Sequence, residues 1–140
     1  MINAGGAIFV CLKTQRVCLF LRSDKVSSAN TWGFVGGKIE KDEIIINGIH
    51  REITEEMGFV PEIKKFLPID VFKSMDNNFM YYSVVILVDN EFTPALNHEN
   101  SGYGWFSVNA LPKPLHPGAK TVLLHKDFKK NFQEILKDNT

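Results

Sequence analysis

An α+β or α/β fold is predicted by three observations on this chain of 140 residues. Short β-branched, apolar runs alternate with polar turn segments. One internal stretch, Asp42 to Met57, changes to helical periodicity, and a second helical pattern closes the chain. The length suits one domain spanning 1–140, with no repeat, linker or low-complexity tract to divide it.

Taken in order, Ala7 to Leu12 and Val17 to Leu21 read as two strands joined by the polar Lys13-Thr14-Gln15-Arg16, a hairpin. A Ser- and Asn-rich loop leads to Trp32-Gly33-Phe34-Val35, a brief strand expected to end in a turn at Gly36-Gly37. The helix follows, with Asp42 as its expected cap and Gly58 and Pro61 as its stop. Ile63 to Phe72 and Phe79 to Val88 return to strand composition, the second apolar enough for burial on both faces, with Asp76-Asn77-Asn78 as the turn between them. The polar loop from Asn97 to Gly102 precedes a strand from Tyr103 to Val108. Pro112, Pro114 and Pro117 punctuate a connection, after which Leu124, Phe128, Phe132 and Leu136 mark one amphipathic helix.

Composition narrows the function classes. About 44% of residues are apolar and 23% charged, as in ordinary globular proteins. Sixteen Lys plus Arg balance sixteen Asp plus Glu, which argues against coating a nucleic-acid backbone and leaves a small anionic substrate open. The start carries no basic, apolar leader and no run is long enough to span a bilayer, so a cytoplasmic location without membrane contact is expected. Cys11 and Cys18 lie in apolar runs without zinc or redox spacing, and are expected to be reduced core residues.

The internal helix carries the chemistry. At 100° per residue, with Glu52 at zero, Glu55 falls near about −60° and Glu56 near about +40°. Ile46, Ile49, Ile53 and Met57 occupy the adjoining sector, so three carboxylates run beside the stripe expected to be buried. Like charges at that spacing repel, and partial burial raises the cost. Arg51 can hold one carboxylate but not neutralise three. A divalent cation with oxygen ligands, Mg²⁺ or Mn²⁺, is the natural complement, and Gly36-Gly37 just upstream lets backbone approach a phosphate or lend a carbonyl. An acidic face merely balanced by nearby lysines is the competing reading.

From Gly37 the chain runs five residues to Glu43, seven more to Arg51-Glu52, then Ile53, Thr54, Glu55-Glu56, Met57, Gly58 and Phe59. This pattern resembles the complete Nudix box, nine defined positions filled at fixed spacing. Leu19 to Arg22 and Trp32 to Gly37 are similar to the approach to that box; Val35 stands where many members have proline, which affects turn rigidity and leaves the carboxylates intact. The resemblance implies an α/β/α sandwich with a mixed sheet, of the α+β class. It also implies Glu52, Glu55 and Glu56 as metal ligands with the Gly37 carbonyl a further one, and Arg51 orienting Glu52. Glu43 lies opposite the ligands on the wheel and is expected to play a supporting role. Glu99 matches the late-loop glutamate that members often use as ligand or base.

The chemistry implied is hydrolysis of the diphosphate bond of a nucleoside diphosphate linked to another group, such as ADP-ribose, a nucleotide sugar or a dinucleotide. Glu99 or Glu52 removes a proton from the attacking water, and the two alternatives stand open. Gly36 and Gly37 are candidate phosphate contacts. Arg22 is another, against an equal reading as an ordinary strand-end arginine. The segment from Leu96 to Trp105 resembles the late loop of nucleotide-sugar enzymes, including GDP-mannose hydrolases. Those glycosyl hydrolases depart from the usual box, and the intact box here favours cleavage between phosphates. Other readings are a nucleoside triphosphate pyrophosphatase acting on oxidised nucleotides, an RNA 5′-end hydrolase disfavoured by the neutral charge, and a non-catalytic nucleotide sensor. Relatives of this kind often pair, so a homodimer is compatible with the resemblance.

Overall fold

The computed structural model describes residues 2–140, at position 70 the backbone alone. Ten elements follow one another: β1 (Ile2–Cys11), β2 (Arg16–Arg22), β3 (Trp32–Gly33), β4 (Val35–Ile39), α1 (Ile45–Met57), β5 (Lys65–Lys73), β6 (Phe79–Val88), β7 (Asn100–Phe106), α2 (Pro117–Leu123) and α3 (Phe128–Asp138). The strands form one mixed sheet in the order β3-β2-β1-β6-β5, with β4 also on β1 and β7 also on β2. Among the strand pairs of the described residues, β1 and β6 run parallel and the others antiparallel.

Alternation along β1 builds two cores. Ala7, Phe9 and Cys11 face α1, where they meet Ile49, Ile53 and Met57. Ile8 and Val10 face the other way, toward Ala119, Leu123, Phe132 and Leu136 of α2 and α3. Helices cover both faces, which is why β1 and β6 read as unbroken apolar runs. Ile49, Ile53 and Met57 are fully buried, each burial contributing about 1.5–3 kcal/mol, and this anchors α1 on the sheet. Cys11 and Cys18 are buried free thiols in this core, and burial pushes the Cys18 thiol up.

Five sequence expectations need correction. Gly36-Gly37 are not a turn: they lie inside β4, opposite Gly6 and Gly5 of β1. The segment read as one strand is two, Trp32–Gly33 on β2 and Val35–Ile39 on β1. The helix starts at Ile45 rather than Asp42, with Ile44, whose side chain has no polar atom to cap with, at the cap position, and Glu43 just before it bonded to Arg51 and the Glu40 N–H. Ile46, assigned to the buried stripe, is 48% exposed near that late start. The terminal helix is likewise two helices broken between Leu123 and Phe128, and Leu124 at the break is 58% exposed. No helix among the described residues is long and apolar enough to cross a membrane.

Candidate metal centre

The site begins where two glycine pairs cross. A Cβ on Gly36 would collide with the Gly5 carbonyl oxygen and lie 2.6 Å from the Gly6 Cα, so β1 and β4 approach as only glycines allow. A Cβ on Gly37 would meet the Glu52 carboxylate, 2.7 Å from its carbon. The bare backbone of β4 therefore faces the carboxylates of α1. Gly58 closes the helix in the left-handed conformation at φ 78°, its N–H donating to Thr54 O at 2.9 Å, as the expected stop requires.

On the helix, Arg51 is the hub. Its Nε donates to Glu43 Oε2 at 2.8 Å and its Nη2 to Glu43 Oε1 at 3.0 Å, a bidentate fork. Nη1 donates to Glu52 Oε1 and Glu55 Oε1, both at 3.2 Å, and Nη2 also reaches the Lys38 carbonyl at 3.0 Å. Glu43 precedes the helix, so the helical wheel did not apply to it; the chain brings it back to Arg51 and the Glu40 N–H. That fork holds the Glu43 carboxyl below its usual range.

Glu56 is held differently. Its Oε2 accepts from Gly36 N–H at 2.8 Å and its Oε1 from Asn100 Nδ2 at 3.2 Å. Burial first, then the charge of Glu99 within hydrogen-bonding reach, push the Glu56 carboxyl up to about 9. Burial also raises Glu52, against the pull of Arg51. Glu52 and Glu56 are buried and Glu55 is exposed. Among the described residues no three acidic, His or Cys side chains converge as a ready-made ligand set. Glu52 and Glu55 accept from Arg51, and Glu56 accepts from Gly36 and Asn100.

The structure thus brings Glu52, Glu56, Glu99, Gly36 and Gly37 to one place, with Glu55 and Arg51 on its rim. Arg22 is turned away to its own loop, donating to Ser27 O at 2.8 Å, although its charge reaches Tyr81 and His116. Sequence reasoning missed two residues here. Asn100 directly follows Glu99 and is buried against Glu56. Tyr81, within the run from Phe79 to Val88 read only as a strand, has its hydroxyl over Gly6, and burial and the charge of Glu56 push it up to about 12. Two apolar grooves, about 520 and 650 Å³, lie away from these carboxylates, between the sheet and α2–α3 and between the start of α1 and β5–β6.

The family model for the NUDIX domain matches residues 3–126. The chain belongs to the Nudix family. This Nudix chain is 33% identical over 113 residues to the mRNA decapping complex subunit 2 of Schizosaccharomyces pombe, covering 79% of its own length and 15% of that relative. In structure it is similar to a MutT NUDIX hydrolase from Burkholderia pseudomallei, with a TM-score of 0.70 at 25% identity over 89% of this chain and 97% of that one. The RenU Nudix hydrolase from M. smegmatis shares the fold, with a TM-score of 0.74 at 16% identity over 99% and 87% of the two chains. The mixed sheet between helical layers is the α+β Nudix architecture.

Proposed function

We propose that this Nudix domain hydrolyses the diphosphate bond of a nucleoside diphosphate linked to another group, using Mg²⁺ or Mn²⁺. The observation that carries the reading is the pair of buried carboxylates, Glu52 and Glu56, set against the side-chain-free backbone of Gly36 and Gly37 with Glu99 beside them. Such a donor set fits a hard cation: carboxylate oxygens, no sulfur or imidazole, and space opposite Glu52 that any side chain at Gly37 would fill. Glu52, Glu55 and Glu56 would hold the metal, with the Gly37 carbonyl as a further ligand. When bound, the cation neutralises the diphosphate oxygens that otherwise repel an incoming nucleophile.

The protein's own groups do the rest. Arg51 orients Glu52 and Glu55 through its Nη1. Glu99, or Glu52, accepts the proton of a water that attacks one phosphorus. The bridging P–O bond breaks, and the products are a nucleoside monophosphate and the phosphorylated remainder. Gly36 and Gly37 offer backbone groups to phosphate beside the carboxylates, and Arg22 becomes a phosphate contact on releasing Ser27.

The test is phosphate release, with added phosphatase, from ADP-ribose, dinucleoside polyphosphates, nucleotide sugars and nucleoside triphosphates under each metal. Metal-dependent turnover abolished by Glu56→Gln supports the reading, and equal background in wild type and variant overturns it. Glu99→Gln and Glu52→Gln then separate the two candidate bases. The base variant loses about 10²–10⁴-fold in kcat and its acidic limb in the pH–rate profile, with metal affinity retained. Loss of metal affinity instead marks a ligand. A second reading, hydrolysis at the 5′ end of RNA, is favoured by the likeness to a decapping subunit. The balance of sixteen basic and sixteen acidic residues weighs against it, and capped RNA added to the panel decides between them.

A further inference from the structure

The late loop grips the helix through two asparagines. Asn97 Nδ2 donates to the Glu55 carbonyl at 3.0 Å, and its Oδ1 accepts the Glu99 N–H at 2.9 Å. Asn100, only 6% exposed, reaches past the backbone to the Glu56 carboxylate. Both donors to Glu56 are neutral amides, Gly36 N–H from β4 and Asn100 Nδ2 from β7, whereas Glu52 and Glu55 share the cationic Arg51. A neutral donor fixes a carboxylate oxygen while leaving its second lone pair and the negative charge available to a cation.

The backbone explains how Asn100 comes to point there. The register of β2 against β7 shifts between Leu21 and Arg22: Leu21 pairs with Gly102, but Arg22 pairs with Asn100, so Ser101 is the extra residue. An irregularity of this kind re-aims a side chain beside a site. Ser23, just after β2, holds the same stretch, its N–H donating to the Glu99 carbonyl at 2.9 Å and its Oγ to the His98 carbonyl at 2.7 Å. Asn100 is thus presented by a braced strand end rather than by a loose loop.

We propose that Asn100 is a positioning residue for metal binding: with the Gly36 N–H it fixes both oxygens of Glu56, so that the ligand on the helix is set from β4 and β7. This rests on the metal-dependent reading above. Loss of a group that orients a metal ligand typically weakens metal affinity about 10–100-fold. The expectation for Asn100→Leu, which keeps the branched shape and removes the donor, is therefore a Mn²⁺ dissociation constant raised about tenfold or more. Asn100→Ala provides the same test without the bulk.

The experiment is Mn²⁺ titration of wild type, Asn100→Leu and Asn100→Ala without substrate, read by paramagnetic resonance of free Mn²⁺ well below each melting temperature. Turnover is then measured across Mn²⁺ concentrations. Weakened binding in either folded variant, with turnover restored at high Mn²⁺, supports the role. Folded variants that bind Mn²⁺ as wild type does overturn it, even if less stable, because Asn100 would then serve packing alone. If only one variant folds, it decides the question. Wild type that binds no Mn²⁺ overturns the metal-dependent reading itself, an outcome separate from variants that match a binding wild type.

Discussion

Two adjacent glycines in β4 do different work, and their substitutions should come apart. At Gly36 the obstacle to a side chain is the backbone of Gly5 and Gly6, which cannot move without separating β1 from β4. Gly36→Ala is expected to destabilise the fold by about 1–3 kcal/mol, as overpacking against rigid neighbours does. At Gly37 the obstacle is the end of the Glu52 side chain, which can swing away. Gly37→Ala is expected to keep most of its stability and lose about tenfold or more in metal affinity, because the displaced group is a proposed ligand. Urea unfolding paired with Mn²⁺ titration measures both. Equal loss of stability in the two variants would show that Glu52 is as rigidly placed as the backbone.

Among the elements, α1 was legible in its chemistry and misread in its beginning. The spacing of Glu52, Glu55 and Glu56 beside Ile49, Ile53 and Met57 follows from helical geometry alone, and the structure places the acidic stripe beside the buried one as that geometry requires. The start failed because Asp42 resembles a cap, while the real constraint is Glu43 reaching Arg51 eight residues on, a tertiary pair that local pattern does not reveal. Gly36-Gly37 failed similarly: a glycine pair signals freedom for a turn and close approach of a neighbouring strand equally well. Asn100 stayed hidden because its role depends on a register shift between β2 and β7. The missing cap gives a direct test at this scale. Ile44 is 68% exposed at the cap position and makes no side-chain hydrogen bond there. Ile44→Ser is expected to stabilise the protein by about 1 kcal/mol by satisfying an orphan N–H of the first turn. A melting temperature unchanged or lowered would mean that the apolar contacts of Ile44 beside Ile45 and Ile46 outweigh a cap.

For the whole molecule, the carboxylates couple folding to pH and to metal in opposite senses. Glu56 has an ordinary value of 4.5 and is pushed up to about 9 in the folded protein. Between those limits the folded state binds the proton more tightly than the unfolded chain, so stability of the metal-free protein falls as pH rises from about 4.5 toward about 9. Burial of Glu52 acts in the same direction. Glu43, held by Arg51 below its usual range, acts oppositely: its contribution is present above the unfolded value and lost as pH falls through the folded one. Near neutrality Glu56 therefore makes stability decline, while His116, held below its ordinary range by burial, acts oppositely. A bound cation requires the deprotonated carboxylate, so binding releases a proton and becomes stronger as pH rises. Melting temperatures measured from pH 6 to 9 should fall without Mg²⁺, and the rise produced by saturating Mg²⁺ should widen across the same range. Glu56→Gln, which removes the titrating group, should flatten the metal-free slope and abolish most of the Mg²⁺ effect. A metal-free slope equally steep in that variant would assign the pH dependence to other carboxyls and leave Glu56 ionised in its pocket, held by the Gly36 and Asn100 donors alone.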